Sequence, residues 1–233
     1  MTITAINGNS LSINPALQFT HYGSNSVTIS NSVGQLDTRT SVGHVNRNIQ
    51  FVSGPDNGWG YSVVVYQMWD DKLARAGKAI LSGVEFTLGG QYGSEAATLS
   101  LMNNGDTSAG TTVVQYSSFS NCRTYCLYAQ SHTNANLTNN VFFEGSNFHL
   151  KLSAINNFYV SSNLMVAAIF PPNIPVASPT ACLELTNTDP IANNNKIINN
   201  VCQGSKLNGY VFPFLPCGQI ANNPFFNNLV GSA

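Results

Sequence analysis

Ten carboxylates and nine lysines and arginines in 233 residues leave few places where chemistry could concentrate. Cleavage of a glycosidic bond needs an acid and a base or nucleophile at a matched distance. A polysaccharide lyase needs clustered acids for calcium and a Lys or Arg base. Asp70-Asp71 is the one adjacent acidic pair, while Glu85, Glu95, Asp106, Glu144 and Glu184 stand apart. Glu85 and Glu95 bracket one turn and could meet in space, although a structural role bonded to turn amides or facing solvent is the favoured reading, and Arg123 with Lys151 is the basic pair a lyase would draw on. His21, His44, His132 and His149 are dispersed and read as turn or wall residues. Aromatic faces suit the C–H faces of pyranose rings, which singles out His21-Tyr22 and Trp59-Gly60-Tyr61 as candidate ligand contacts. Cys122, Cys126, Cys182, Cys202 and Cys217 include no CxxC pair and no His at zinc spacing, so no metal site and no cofactor is expected.

The elements that must position these residues are announced by a repeat. Asn140-Val141, Asn163-Leu164, Asn200-Val201 and Asn228-Leu229 each follow a short strand-like run. The step from Val141 to Leu164 is about 23 residues, within the range of repeat periods. Ser118-Phe119 fits the same slot about 22 residues before Val141, with Ser118 in place of Asn. Longer steps, on to Val201 and then Leu229, require loop insertions. A fixed period in this range marks a solenoid whose repeats bury their faces against one another. The predicted fold is therefore all-β, a right-handed parallel β-helix with about 22–23 residues per coil. Asn fills 31 positions, and Asn140, Asn163, Asn200 and Asn228 are expected to stack as an amide ladder along the axis. Asn also tolerates the left-handed backbone of tight turns.

Strands are read at Ile3–Ile6, Ser10–Ile13, Val27–Ile29, Ile49–Val52 and Tyr61–Tyr66, and Asp70–Ala79 as a charged loop or short helix. Coils follow at Ile80–Phe86, Thr98–Met102, Thr112–Phe119, Cys126–Ala129, Asn136–Phe143, Phe148–Leu152 and Phe158–Ile169. After a proline-rich insertion at Pro171–Pro179 they resume at Cys182–Leu185, Lys196–Cys202, Tyr210–Phe214 and Phe225–Val230. No linker divides the chain, so residues 1–233 read as one domain.

Charged residues make up 8% of the chain, apolar residues 43%, and the net charge is −1. Such a composition excludes a disordered chain and offers no basic stripe for nucleic acid. No apolar run reaches membrane-spanning length. The amino terminus lacks the regions of a signal peptide and begins in strand-like sequence, so the chain is expected to be a piece of a larger secreted protein. Cys182 and Cys202 are separated by close to one coil and could bridge adjacent coils. Cys202–Cys217 and Cys122–Cys126 remain open pairings, and the odd count leaves one thiol over. Asn136-Leu137-Thr138 is a glycosylation sequon.

Several segments in order resemble the β-helix region of the fibrocystin and fibrocystin-L family, a group that also contains transmembrane protein 2 and a secreted hyaluronan-binding cell-migration protein. They are Leu36–Ile49, Gly83–Gly93 (GVEFTLGGQYG), Asn104-Gly105-Asp106, Cys126 with Asn140, Asn195–Val201 and Asn208–Pro216. In hyaluronan-depolymerising members the coil after the glycine segment carries two histidines, whose places here hold Ser100 and Met102. A later segment keeps a histidine at His149 but lacks the family's acidic pair. The resemblance with these departures implies a non-catalytic extracellular structural or adhesive module of a cell-surface or ciliary protein. Its expected partners are flanking domains or further copies of itself in a fibre. The alternative is a protein that binds or depolymerises a hyaluronan-like polysaccharide.

Overall fold

The computed structural model describes residues 2–8, 10–16, 27–28, 35–36, 41–54, 59–70, 73–105, 110–170, 180–186, 194–212 and 225–231. Where the sequence reads as one domain, the chain divides into two compact units, 1–42 and 43–233. In the first, Thr2–Asn7 pairs antiparallel with Ser10–Asn14, and Val27–Thr28 with Gln35–Leu36. Pro171–Pro179 and Cys217 lie outside the described residues.

The second unit is all-β among its described residues, built on three parallel sheets. The first sheet runs Ile49–Val52, Val84–Thr87, Ser118–Ser120, Val141–Ser146, Leu164–Ile169, Val201–Gln203 and Leu229–Gly231. The second contains Val63–Tyr66, Leu99–Met102, Leu127–Gln130, Phe148–Ser153, Ala181–Thr186 and Asn208–Val211. The third contains Ile80–Ser82, Thr112–Gln115, Thr133–Thr138, Asn156–Ser161, Lys196–Ile198 and Phe225–Phe226. Read along the chain, the strands of these three sheets follow one another in the order first, second, third, so each pairs with the strand a full circuit away.

Each circuit turns from the third sheet into the first through a residue in the left-handed region: Gly83 (φ 69°), Tyr116 (50°), Asn139 (56°), Ser162 (58°), Asn199 (57°) and Asn227 (54°). Asn leads non-glycine residues in tolerating this conformation, which explains the first Asn of the repeated Asn-Asn. The second Asn builds the ladder. Asn163 Oδ1 accepts from both the backbone N–H and the side-chain amide of Asn140, at 3.0 and 3.1 Å. Asn163 Nδ2 in turn donates to Leu137 O (2.9 Å) and Asn200 Oδ1 (2.9 Å). Asn200 repeats the pattern onto Asn228. Each interior amide thus uses both lone pairs and both hydrogens.

The ladder continues towards the amino terminus through Ser117, not Ser118. Ser117 N donates to Asn140 Oδ1 across 23 residues, and Ser117 Oγ accepts from Val84 N. The shorter step expected there is corrected to the same length as the next one, because Ser118 and not Phe119 pairs with Val141. A slip of one residue would send Phe119 to the opposite face of its strand. Phe119 instead stacks between Phe86 and Phe142, with centroids 4.7 and 5.0 Å away. Phe51 extends the stack at one end, and register places Met165 and Cys202 at the other. Leu99, Leu127, Leu150 and Leu183 line the second sheet's inner face, and Val114, Leu137, Val160 and Ile197 the third's.

Further expectations change. Ile80–Phe86, Thr112–Phe119, Asn136–Phe143, Phe158–Ile169, Lys196–Cys202 and Phe225–Val230 each contain strands of two different sheets, broken at Gly83, Tyr116, Asn139, Ser162, Asn199 and Asn227. Within Asp70–Ala79, Leu73–Arg75 forms an antiparallel hairpin with Met68–Asp70 rather than a loop or helix. Its alternation is too short to stand out as a strand signal.

Replacing Asn163 by Ala strands two buried donors of Asn140 and should cost about 3 kcal/mol, since each unsatisfied buried group costs ~1–3 kcal/mol. Asn228→Ala, at the half-buried end, should cost about 1 kcal/mol. Likewise Phe119→Ala, fully buried, should cost ~3–5 kcal/mol, and Phe51→Ala, which is 40% exposed, clearly less. Urea midpoints at unchanged m-value read all four.

Candidate functional site

Side chains with reactive or binding potential fall into an inward set and an outward set. Among the inward ones, Arg123 is buried, and its Nη1 donates to Trp59 O (2.6 Å), Leu88 O (2.7 Å) and Ser53 Oγ (3.2 Å). Guanidinium is well suited to gathering carbonyls this way, because its donors are fixed in one plane. Gly60 sits beside this knot, where any side chain would meet the Leu88 and Gly90 carbonyls. That close approach separates the two aromatic neighbours of Gly60. Trp59 is 65% exposed, whereas Tyr61 packs on the core and donates its hydroxyl to Phe51 O at 2.7 Å. Burial pushes the Tyr61 phenol far above its ordinary range. The candidate sugar-stacking pair of Trp59 and Tyr61 is therefore split, with Trp59 facing out and Tyr61 packed on the core. His21 and Tyr22 lie outside the described residues.

Glu85 and Glu95, the acids that bracket one turn, have separate partners. Glu85 accepts from Arg47 N–H (3.1 Å), Gln50 Nε2 (2.7 Å) and Thr87 Oγ1 (3.2 Å) on the first sheet. Glu95 pairs with Lys151 at 3.3 Å. Arg123 and Lys151 are likewise apart in role, one inward and bound to carbonyls, the other on the second sheet's outer face.

That outer face carries Ser100, Tyr128, Lys151 and Glu184 in one register row. The lysine ammonium donates to the Tyr125 hydroxyl at 3.1 Å and lies 4.7 and 5.2 Å from the Tyr125 and Tyr128 ring centroids. Phe148, Ala97 and Ala181 pack with the two tyrosines, and Met102 joins them. Burial acts to lower the lysine's pKa, but the Tyr125 hydroxyl and the Glu95 and Glu184 charges outweigh it and the net shift is upward. Burial raises Glu184, against the pull of Lys151. Burial also raises Tyr128, reinforced by Glu95. Lys151 is thus a held cation and not a free base. Lys151 is 26 residues from Tyr125 and 56 from Glu95, a spacing without any sequence signal. Ser100 lies in the same register row, and Met102 packs against the cluster.

A second outward feature lies on the third sheet: an open hollow of about 370 Å³ whose lining includes Asn136, Tyr159 and Lys196. Asn136 pairs in register with Tyr159, and Tyr159 with Lys196. The sequon asparagine is therefore half-buried in the middle of a paired strand.

The two described disulfides belong to the inward set. Cys122–Cys126 closes the turn between the first and second sheets, and Cys182–Cys202 joins a second-sheet strand to a first-sheet strand. His132 and His149 are fully buried. His149 Nε2 accepts from Gly145 N–H (3.1 Å), which requires an unprotonated nitrogen. Burial holds His149 down to about 3, opposed by the Val166 backbone, and holds His132 down to about 4. The unfolded chain binds these protons near pH 6.5 and the folded chain only near 3 and 4. Their contribution to stability is therefore complete above about pH 6.5 and is lost as pH falls towards the folded values. The urea midpoint should drop between pH 7 and pH 4.5, and less steeply in His149→Gln.

No group of three or more metal-ligating side chains converges among the described residues. No helix there is long and apolar enough to cross a membrane. Comparison with protein-family models, with curated proteins and with solved structures finds no match to this chain.

Proposed function

We propose that residues 43–233 are a right-handed parallel β-helix with loop insertions between its coils, serving as a non-catalytic structural or adhesive module of an extracellular protein. The observation that carries this reading is the fate of the chain's polar chemistry. Asn140, Asn163, Asn200, Arg123, His132 and His149 are buried inside the stack, with the asparagines, Arg123 and His149 Nε2 bonded to it, and Lys151 is held between carboxylates and tyrosines. Two disulfides in the core support an oxidising, extracellular setting, because such bonds are rare where thiols are kept reduced.

End-to-end assembly follows from the sheets' outermost strands. Ile49–Val52 and Leu229–Gly231 border the first sheet, and strand edges pair readily with other chains. Ile49, Ile80 and Val230 are exposed on border strands, which suits a surface that packs on a further copy. The resemblance to fibrocystin-type modules supports a shaft within a larger cell-surface or ciliary protein.

Electron microscopy and sizing of the purified chain at rising concentration should find rods or end-to-end oligomers. Hyaluronan incubated with it, with and without calcium, should keep its chain length. Shortened hyaluronan would reverse the non-catalytic reading, and a strictly monomeric particle at high concentration would remove the assembly.

A further inference from the structure

The hollow on the outer face of the third sheet is unlike the other polar clusters, because its side chains point to solvent around a shared space of about 370 Å³. That volume lies near the lower end of small-ligand sites, ~300–1,000 Å³. Asn136, Tyr159 and Lys196 stand side by side on three neighbouring strands. With strands ~4.8 Å apart, the row spans roughly 10 Å, enough for one or two pyranose rings. Asn157 and Asn194 complete the polar rim, with Thr111 at its edge.

The support beneath the rim is fixed. Buried Asn195, next to Asn194, accepts from Phe158 N–H (3.0 Å) and donates to Ile155 O (3.2 Å). On the other side Asn157 Nδ2 donates to Asn134 Oδ1 (2.6 Å). Asn157 and Asn194 both hold the left-handed backbone, at φ 54° and 67°. A site held this way costs a ligand little ordering.

The lining chemistry selects a class of ligand. Three carboxamides each offer donors and an acceptor, which matches vicinal hydroxyls. The Tyr159 ring, 37% exposed, can lie against a sugar's C–H face. Among the described residues Lys196 is the one charged side chain in the lining, and no described carboxylate lines the hollow with it. A lone lysine without arginines or a glycine-rich amide cradle does not suit a polyphosphate. We infer that this hollow binds a saccharide unit carrying one anionic group, a carboxylate or a sulfate. The site is independent of the structural role proposed above, since a shaft can carry it or lack it.

The test is a chemical-shift titration of the whole chain with methyl glucuronide, N-acetylglucosamine 6-sulfate and, as the neutral probe, methyl glucoside. Saturable shifts confined to the Asn136–Tyr159–Lys196 face are expected with one or both anionic sugars, and whichever binds tighter names the anion. Lys196→Gln, an exposed position where folding is checked by an unchanged spectrum elsewhere, should weaken that binding about tenfold, equivalent to ~1.4 kcal/mol. Tyr159→Ala should weaken both, and Lys206→Gln should leave both unchanged. Equal binding of methyl glucoside, binding unaffected by Lys196→Gln, or no saturable shift with either anionic sugar would each overturn the assignment.

Discussion

The buried backbone N–H at each corner between the third and first sheets must find an acceptor, and the rest of the stack depends on how it does so. At Asn140, Asn163 and Asn200 the acceptor is the side-chain oxygen of the asparagine one circuit on. A buried amide left unpaired costs more than an ordinary hydrogen bond returns, so this contact allows little variation in how circuits are aligned. It explains why the ladder keeps register across steps of 23, 37 and 28 residues. Insertions enter between strands and leave the corner untouched. Longer loops raise closure entropy only slowly, so the two long steps are cheap once the corner is paired.

Alignment at the corner sets the packing inside. With Ser117 in the ladder, Phe119 falls on Phe86 and Phe142, and the same row runs on to Met165 and Cys202. One row thus passes from stacked rings to a flexible thioether to a cross-linked sulfur. The leucine rows of the second sheet follow the same register. Ladder and core are therefore two expressions of one alignment, and a change that shifts either must shift both.

This coupling explains what can be read from the sequence. The Asn-Asn repeat is legible because two demands fall on adjacent residues, a left-handed backbone and a buried amide. Ser117 is harder to place, since the Ser117-Ser118 pair offers two hydroxyls and periodicity alone does not choose between them. The alternation of inward Phe119 decides it only once its neighbours are known. Strand breaks at Tyr116 and Ser162 are hidden because neither residue favours the left-handed backbone by type. The split of Trp59 from Tyr61, the knot around Arg123 and the Lys151–Tyr125–Glu95 cluster have no local signal. Their members come from circuits far apart in the chain, and only the register brings them together.

Inward and outward rows alternate along each strand, and only the inward ones are constrained by the stack. An outward residue can change without disturbing ladder or core, so specific function is freest to accumulate there. The second and third sheets have used this freedom differently. On the second, aromatic and charged side chains close over one another, and Lys151 is shared among Tyr125, Tyr128 and Glu95. The third leaves its row of Asn136, Tyr159 and Lys196 around an open hollow. Both faces have the same backbone geometry beneath them. What separates a closed structural cluster from an accessible one is whether each cation has an anionic neighbour within reach, and among the described residues no carboxylate shares the third sheet's lining with Lys196.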